Sequence, residues 1–464
     1  MQIWGLMKKS SNWKGGIAAD MRPNIFLIVS DSLRYDHVGP QPGKPSLTPN
    51  LDRLANEGVV FSQVIAQGPS TRVSMSAMLS STYASLHGGE QELSPSRPVV
   101  QQILKDSGYT TAGITSNLYL SQAFGWQRGF DVYDDCRPEA VYQRRIWLRL
   151  INQVTKRLGW PLIWPRALPA ELVFENAQRA LTGLNSPFFM WVHLMDTHWP
   201  YWIQKFSWNP KIRQQRQKDL KIRPRLVADR PQLSQDEIQE LVEQYRESVR
   251  YTDQHIGAFV ERLKAQGLRK NSWIFITADH GEEFLEHGRL FHHPTPYEEL
   301  IHVPLIVLPP EELSRPFKKH CAEQVRLIDL VPTFIELAQA APGPETRLFG
   351  ESLLPFIWGE TRPEPRPAIT ESPHNQFLSI RSGCWKYILD VNADKGMLFN
   401  LEQDPGEKVD LAAQEASIAE NFYRVLQEHL EMVRKSKSNG HEEESSLELE
   451  PELLERLRGL GYVE

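Results

Sequence analysis

The sequence predicts an α/β fold: a mostly parallel central sheet flanked by helices, with a smaller C-terminal α+β subdomain. Three observations predict it. Continuous apolar runs rich in β-branched and aromatic residues recur along the chain, as strands buried on both faces require. Capped helical patterns alternate with them, the signature of a wound parallel sheet. Several of the runs end in Asp or His, and ligands of such sheets bind beyond the carboxyl ends of the strands.

The first strand is "NIFLIVSD", residues 24–31, an apolar run closed by a carboxylate. "TPNLDRLANEG", from Thr48, carries a capping residue, helical periodicity and a terminal Gly. "VVFSQVIAQ" reads as a strand that delivers the chain to "GPSTRVSMSAML", residues 68–79. "VVQQILKDSGYTTAGITSN" repeats helix, Gly and strand, and "FFMWVHLMDTH", "SWIFITADH" and "HVPLIVLPP" are further buried strands. From about residue 362 the texture changes. "PAITESPHNQFLSIRSGCWKYILD" and "MLFNLEQDPGEKVDLA" suggest antiparallel strands and a Pro-Gly turn, followed by a helix. The domain reading is an N-terminal extension (1–21), a catalytic domain (22–361), a small subdomain (362–435), and an acidic linker with a short closing helix (436–464).

At 464 residues the chain is long for one hydrophobic core, which fits a large unit plus a small one. A net charge of −6 gives no global pull toward nucleic acid. Cys136, Cys321 and Cys384 are few, odd in number and widely spaced, so they fit neither a disulfide framework nor a zinc knuckle. No signal-peptide pattern opens the sequence and no apolar run is long enough to cross a bilayer. The expected location is therefore cytoplasmic.

Asp31, Asp279 and His280 stand at strand ends and combine hard carboxylate oxygens with one imidazole, a donor set for one divalent ion. Taken singly, each is also an ordinary cap or turn residue. A second ion among Asp196, His198 and His292 is a further possibility of unusual spacing. An ion beside a hydroxyl lowers the hydroxyl's pKa and makes it a usable nucleophile. That raises a question about residues 68–79, where hydroxyls before a helix are also natural N-caps. Which of them faces the ion?

Several segments, in order, resemble the sulfatase family of the alkaline phosphatase superfamily: "IFLIVSDSLRYDHVG", "TPNLDRLANEGVVF", "MDTHWPY", "ITADHGEEFLEHG", "YEELIHVPLIV", "RLIDLVPTFIELA" and "GESLLPF". "SIRSGCWKYI", "LFNLEQDPGEKVDLA" and "LLERLRGLGYV" resemble that family's C-terminal part. The resemblance runs over about residues 22–464 and is weak at 137–185 and 202–240, read as basic insertions. It implies an alkaline phosphatase-like catalytic domain. Family nucleophiles precede a helix as Cys/Ser-x-Pro-x-Arg or Thr-x-Pro-Ser, followed by an apolar pair. Placing "MLSS" (78–81) on that pair puts Thr71 at the nucleophile position, Ser74 on the Ser of the second pattern, and Ser70 beside it as the weaker choice. Thr71 would also join Asp31, Asp279 and His280 at the ion. His198, in "DTHWPY", matches a substrate-contacting His and a proton donor, and His292 matches another pocket His. Arg72 reads either as an anion contact or as a solvated first-turn residue.

The departures from the family are informative. Formylglycine sulfatases need Cys or Ser followed by Pro and Arg, whereas this chain has Thr71, Val73 and Met75. Threonine cannot become formylglycine, so that cofactor is not expected. Ser32 stands where many sulfatases carry a second Asp, and His280 replaces an Asn, which suits Mn²⁺ or Zn²⁺ better than Ca²⁺. The implied activity is metal-dependent hydrolysis of phosphate or sulfate esters, phosphoesters preferred, through a covalent intermediate on Thr71. A phospho-group transferase and a catalytically silent binder of an anionic glycan or lipid headgroup are the alternatives. The partner is an anionic ester. The stretch 142–168, basic and bearing Trp147, Trp160 and Trp164, is either a solvated helix or a contact for anionic lipid or glycan.

Overall fold

The computed structural model describes residues 22–40, 45–87, 92–136, 167–201, 225–226, 230–362 and 365–438. The extension at 1–21 lies outside them, as do all but the last two residues of 142–168 and all but the first three of 436–464.

The main sheet is built from β1 (Asn24–Ser30), β2 (Val59–Ile65), β3 (Thr110–Thr115), β4 (Val132–Asp134), β5 (Phe188–Leu194) and β6 (Ser272–Ala278). A small hairpin follows, β7 (Glu283–Phe284) and β8 (Leu290–Phe291), and then β9 (His302–Leu308) and β10 (His320–Arg326) of the main sheet. Its spatial order is β10-β2-β9-β6-β1-β5-β3-β4. Strand β9 runs antiparallel to both its neighbours, and the other pairs are parallel. The fold is therefore the mixed, mostly parallel sheet that the apolar runs predict. Two strands are not read from the sequence, for a physical reason. Strand β10 lies at an edge with three of its seven residues buried, and β4 is three residues long, so neither presents an apolar run.

Burial on both faces explains the composition of the central strands. In β1, Ile25, Leu27 and Val29 enter one core cluster, while Phe26 and Ile28 enter the other. Fully burying one such side chain contributes about 1.5–3 kcal/mol, so a strand of this kind has one stable place, mid-sheet. Helices α1 (Pro49–Glu57), α2 (Thr71–Ser80) and α3 (Val100–Asp106) connect the first strands. Helix α1 starts on Pro49 and stops at Gly58, whose N–H reaches Leu54 O. Helix α4 (Ala170–Leu181) precedes β5, and the long α5 (Gln235–Ala265) precedes β6. A reciprocal Ser234–Glu237 capping box opens α5. Three further helices follow, α6 (Glu298–Ile301), α7 (Leu330–Ala338) and α8 (Leu354–Ile357).

A second sheet, antiparallel, contains β11 (Ala368–Glu371), β12 (Phe377–Ser382), β13 (Trp385–Asp390) and β14 (Lys395–Asn400). Helix α9 (Ala416–Ser438) covers it, packing Phe422, Leu426 and Leu430 on Leu378, Ile380 and Leu398. Glu371 ties this unit to the main body: its buried carboxylate accepts from Ser85 N–H (3.0 Å) and lies 2.7 Å from His429 Nε2. Among the described residues, no helix is long and apolar enough to cross a membrane.

Candidate active site

Strand register assembles the site. Ser30 pairs with Ala278 on one side and Leu194 on the other, so the residues that follow β1 and β6, Asp31 and Asp279, emerge side by side. Both are completely buried, as is His280. One ligand atom from each lies within 4.8 Å of the others. His280 Nε2 is 3.6 Å from Asp31 Oδ1 and 3.7 Å from Asp279 Oδ2. Its Nδ1 donates to Gly281 O at 2.8 Å, which turns Nε2 toward the carboxylates. Gly281 permits this turn, because a Cβ there would fall 1.9 Å from Glu299 O.

The carboxylates are asymmetrically satisfied. Asp279 Oδ1 accepts from Ser32 N–H (3.2 Å) and His280 N–H (2.9 Å), whereas Asp279 Oδ2 has no hydrogen-bond partner. Burial, reinforced by the Asp279 charge, pushes the Asp31 carboxyl up from its ordinary range. Burial acts on Asp279 in the same sense, but His280, His193 and the Ser32 N–H outweigh it and hold that carboxyl low. Two buried carboxylates, an orphaned oxygen and an inward imidazole nitrogen are a poor arrangement for an empty core and a good one for a cation.

The question of the hydroxyls is resolved by α2. Gly68 allows the approach turn, since a Cβ there would meet Ser74 N at 2.7 Å. Ser70 occupies the N-cap position, yet its side chain makes no capping bond. Thr71 Oγ1 turns inward instead, donating to Asp31 Oδ2 (3.3 Å) and lying 3.2 Å from His280 Nε2. Ser74 Oγ fixes the helix by donating to Asp279 O at 2.6 Å. The N-terminus of α2, with its partial positive charge, therefore faces the same pocket.

The structure brings His198 and His292 to the pocket as well. Their ring centroids are 4.9 Å apart, and His292 lies 4.8 Å from His280. Burial, then the nearby His292, pushes His198 down to about 3, so this ring is neutral. Burial also acts against charging His292, but Glu282, 3.6 Å from its Nδ1, outweighs that and raises it. Arg72 sits over the Tyr119 ring, 4.3 Å from its centroid. Asp196, His198 and His292 do not form a group of mutually close ligand atoms among the described residues. Asp196 accepts the Ala170 N–H at 3.0 and 3.3 Å and so anchors the start of α4, and burial pushes its carboxyl up to about 7.

Two residues at the site, Asn117 and His193, are not singled out by the sequence, and Ser32 is noted there only as the residue in place of a second Asp. Asn117, just beyond β3, donates Nδ2–H to Asp31 Oδ2 at 2.8 Å. Ser32 adopts a positive φ of 59°, which aims its N–H at Asp279, and its Oγ donates to Asp31 Oδ1 at 3.0 Å. His193 lies 3.8 Å from Asp31 Oδ2 and 3.7 Å from Asp279 Oδ2. The signal that reveals it is an imidazole inside an otherwise apolar strand.

A wound sheet with a buried carboxylate–imidazole cluster and a hydroxyl at a helix start defines an alkaline phosphatase-like hydrolase. The sulfatase family model matches residues 23–340, and the chain belongs to that family as an ester hydrolase. It is 23% identical over 440 residues to arylsulfatase K of Xenopus laevis, covering 85% of this chain and 80% of that one. It is 24% identical over 459 residues to the uncharacterized sulfatase YidJ of Escherichia coli (strain K12), covering 89% and 88%. In structure it resembles the phosphonate monoester hydrolase of Agrobacterium radiobacter, with a TM-score of 0.68 at 18% identity, covering 89% of this chain and 96% of that one. A structure solved in complex with its substrate D-glucosamine-2-N,6-O-disulfate matches at a TM-score of 0.65 and 18% identity, covering 91% and 100%.

Proposed function

We propose that the protein is a metal-dependent hydrolase of anionic esters that prefers phosphoesters to sulfate esters, with unmodified Thr71 as nucleophile. One observation carries this reading: the hydroxyl facing the carboxylate–imidazole pocket is that of Thr71, a residue that cannot be converted to formylglycine. Asp31, Asp279, His280 and Thr71 would hold the ion, with Mn²⁺ or Zn²⁺ favoured over Ca²⁺. Bound there, a divalent ion would supply positive charge that stabilises the nucleophile and the transferring group.

The side chains account for the remaining steps. Thr71 Oγ1 gives its proton to Asp31 Oδ2, its hydrogen-bond partner, as it bonds to phosphorus and the ester oxygen leaves. His292, whose protonated form Glu282 favours, delivers a proton to that leaving oxygen, and the neutral His198 ring beside it lines the same pocket. Arg72, at the same helix start, contacts the anionic group. Water then releases the group from the threonine ester. A sulfate ester of threonine lacks the collapse to an aldehyde that frees formylglycine enzymes, and it offers less negative charge for the pocket to stabilise. Solved structures similar in fold include a 2-O GAG sulfatase and two phosphonate monoester hydrolases, so the fold accommodates either chemistry.

The test compares aryl phosphodiester and aryl sulfate hydrolysis by the metal-loaded protein, with mass spectrometry of the quenched Thr71 peptide. Faster phosphodiester turnover and a phosphorylated Thr71 are expected. Faster sulfate turnover, or a covalent group on another residue, would overturn the assignment.

A further inference from the structure

His193 is the sixth residue of β5 and is completely buried. Register pairs it with Val29 of β1 and Thr115 of β3. Side chains on a strand alternate faces, so His193 shares a face with Val29 and with Asp31 two residues on. Asp31 N–H donates to Leu194 O at 2.9 Å, which continues the ladder and keeps that geometry through Asp31. Below the imidazole lies the Trp191 ring, edge-on, with centroids 5.9 Å apart. Neither ring nitrogen of His193 has a hydrogen-bond partner. Each buried, unsatisfied polar group of this kind costs about 1–3 kcal/mol.

The distances supply the reason for such an arrangement. An imidazole beside two carboxylates normally hydrogen-bonds one of them at about 2.7–2.9 Å. His193 Nε2 stands off from both, at 3.8 and 3.7 Å. His280 Nε2 stands off from the same carboxylates by 3.6 and 3.7 Å. Separations near 3.5 Å are those of donors around one ion, given bonds of roughly 2.0–2.2 Å at open angles. His280 belongs to the group of ligand atoms within 4.8 Å of one another, and His193 Nε2 faces the same two carboxylates from beside that group, with Asp279 Oδ2, which has no hydrogen-bond partner, close to both.

We propose that His193 Nε2 is a further ligand of the ion, completing a set of two carboxylates and two imidazoles beside Thr71. The inference rests on the reading of Asp31, Asp279 and His280 as an ion centre. A second nitrogen donor biases the site toward Zn²⁺ and Mn²⁺ and against Ca²⁺ and Mg²⁺. The full chain is stripped of metal and reloaded with Mn²⁺, and pulsed electron paramagnetic resonance counts the imidazole nitrogens coupled to the ion. Two are expected. Zn²⁺ affinity is measured by chelator competition for wild type, His193→Phe and His193→Gln, and both variants are expected to bind at least ~10-fold more weakly. Metal-free His193→Phe should unfold no more easily than the metal-free wild type, because phenylalanine packs on Trp191 and removes two orphaned nitrogens. One coupled imidazole in the wild type, with variant affinities within about threefold of it, would overturn this inference and leave the ion centre standing. A wild type that binds no divalent ion would overturn both.

Discussion

Two clusters of acid and histidine lie in this molecule, and they differ in how their charge is balanced. Asp31, Asp279 and His280 form one, and Glu283, His287 and Glu299 form the other, near the junction with the C-terminal sheet. In the second cluster the chain answers its own charges. Glu283 Oε1 accepts from His287 N–H (2.8 Å) and Arg289 N–H (2.9 Å), and His287 Nδ1 is 2.6 Å from Glu299 Oε1. Beside it the fully buried Lys386 lies 3.1 Å from Glu298 and 2.8 Å from Glu407, and Arg381 lies 2.8 Å from Glu298. In the first cluster the imidazoles of His193 and His280 stand 3.6–3.8 Å from Asp31 and Asp279, whereas in the second His287 and His293 lie 2.6 Å from Glu299 and Glu283. Ligand types at ligand spacing occur in both, so spacing alone does not mark a site. An unbalanced buried charge does.

The sharpest contrast is expected from Thr71→Ala. Phosphodiester turnover should fall by about 10³-fold or more, as removal of a covalent nucleophile does, while Zn²⁺ affinity measured by chelator competition changes far less. Retained turnover would show that the hydroxyl at the start of α2 is only structural. Asp279→Asn comes next. It should abolish stoichiometric ion binding, read by elemental analysis after dialysis, and leave metal-free stability unchanged or higher, because it removes a buried charge that repels Asp31.

Lys386→Met should do the reverse. It strands Glu298 and Glu407, so unfolding stability should drop by about 3–5 kcal/mol, with ion binding to the stripped protein unaltered. A loss of ion affinity there would break the comparison, since the two clusters would then be one system.

The pH dependence of the junction should follow its two glutamates in opposite senses. Burial alone would raise Glu298, but Lys386 and Arg381 outweigh it and hold the group at about 2. Its contribution to stability is present above the ordinary glutamate range and is lost as pH falls toward about 2. Burial raises Glu407 to about 7, with the Glu298 charge adding to the shift against Lys386. Its contribution is complete below the ordinary glutamate range and is lost as pH rises through about 7. Denaturant unfolding across this range should show the neutral-side decline in wild type and a smaller one in Glu407→Gln, the remainder coming from Asp196, which is also raised to about 7. The smallest effect is expected from Ser70→Ala. A capping serine is worth about 0.5–2 kcal/mol, but Ser70 makes no capping bond, so stability and turnover should stay close to wild type.

Sequence order alone determined the central strands and the residues at their ends. A strand buried on both faces must be apolar throughout, so β1, β5 and β6 announce themselves, and Asp31, Asp279 and His280 follow from where the apolar runs stop. That residue 71 is a threonine, which cannot become formylglycine, is equally local. What only the tertiary structure decided is which groups meet. The Ser74 bond to Asp279 O seats α2 so that Thr71, rather than Ser70, faces the carboxylates. Asp196 reads from the sequence like a ligand, yet the start of α4 takes its carboxylate. His193 reads like one more core residue of β5, until the register with β1 sets it below Asp31. Asn117 joins from a strand that neighbours β5 but not β1. Each of these outcomes depends on contacts between residues distant in the chain, which local periodicity does not encode, whereas burial of a strand leaves its mark on every residue within it.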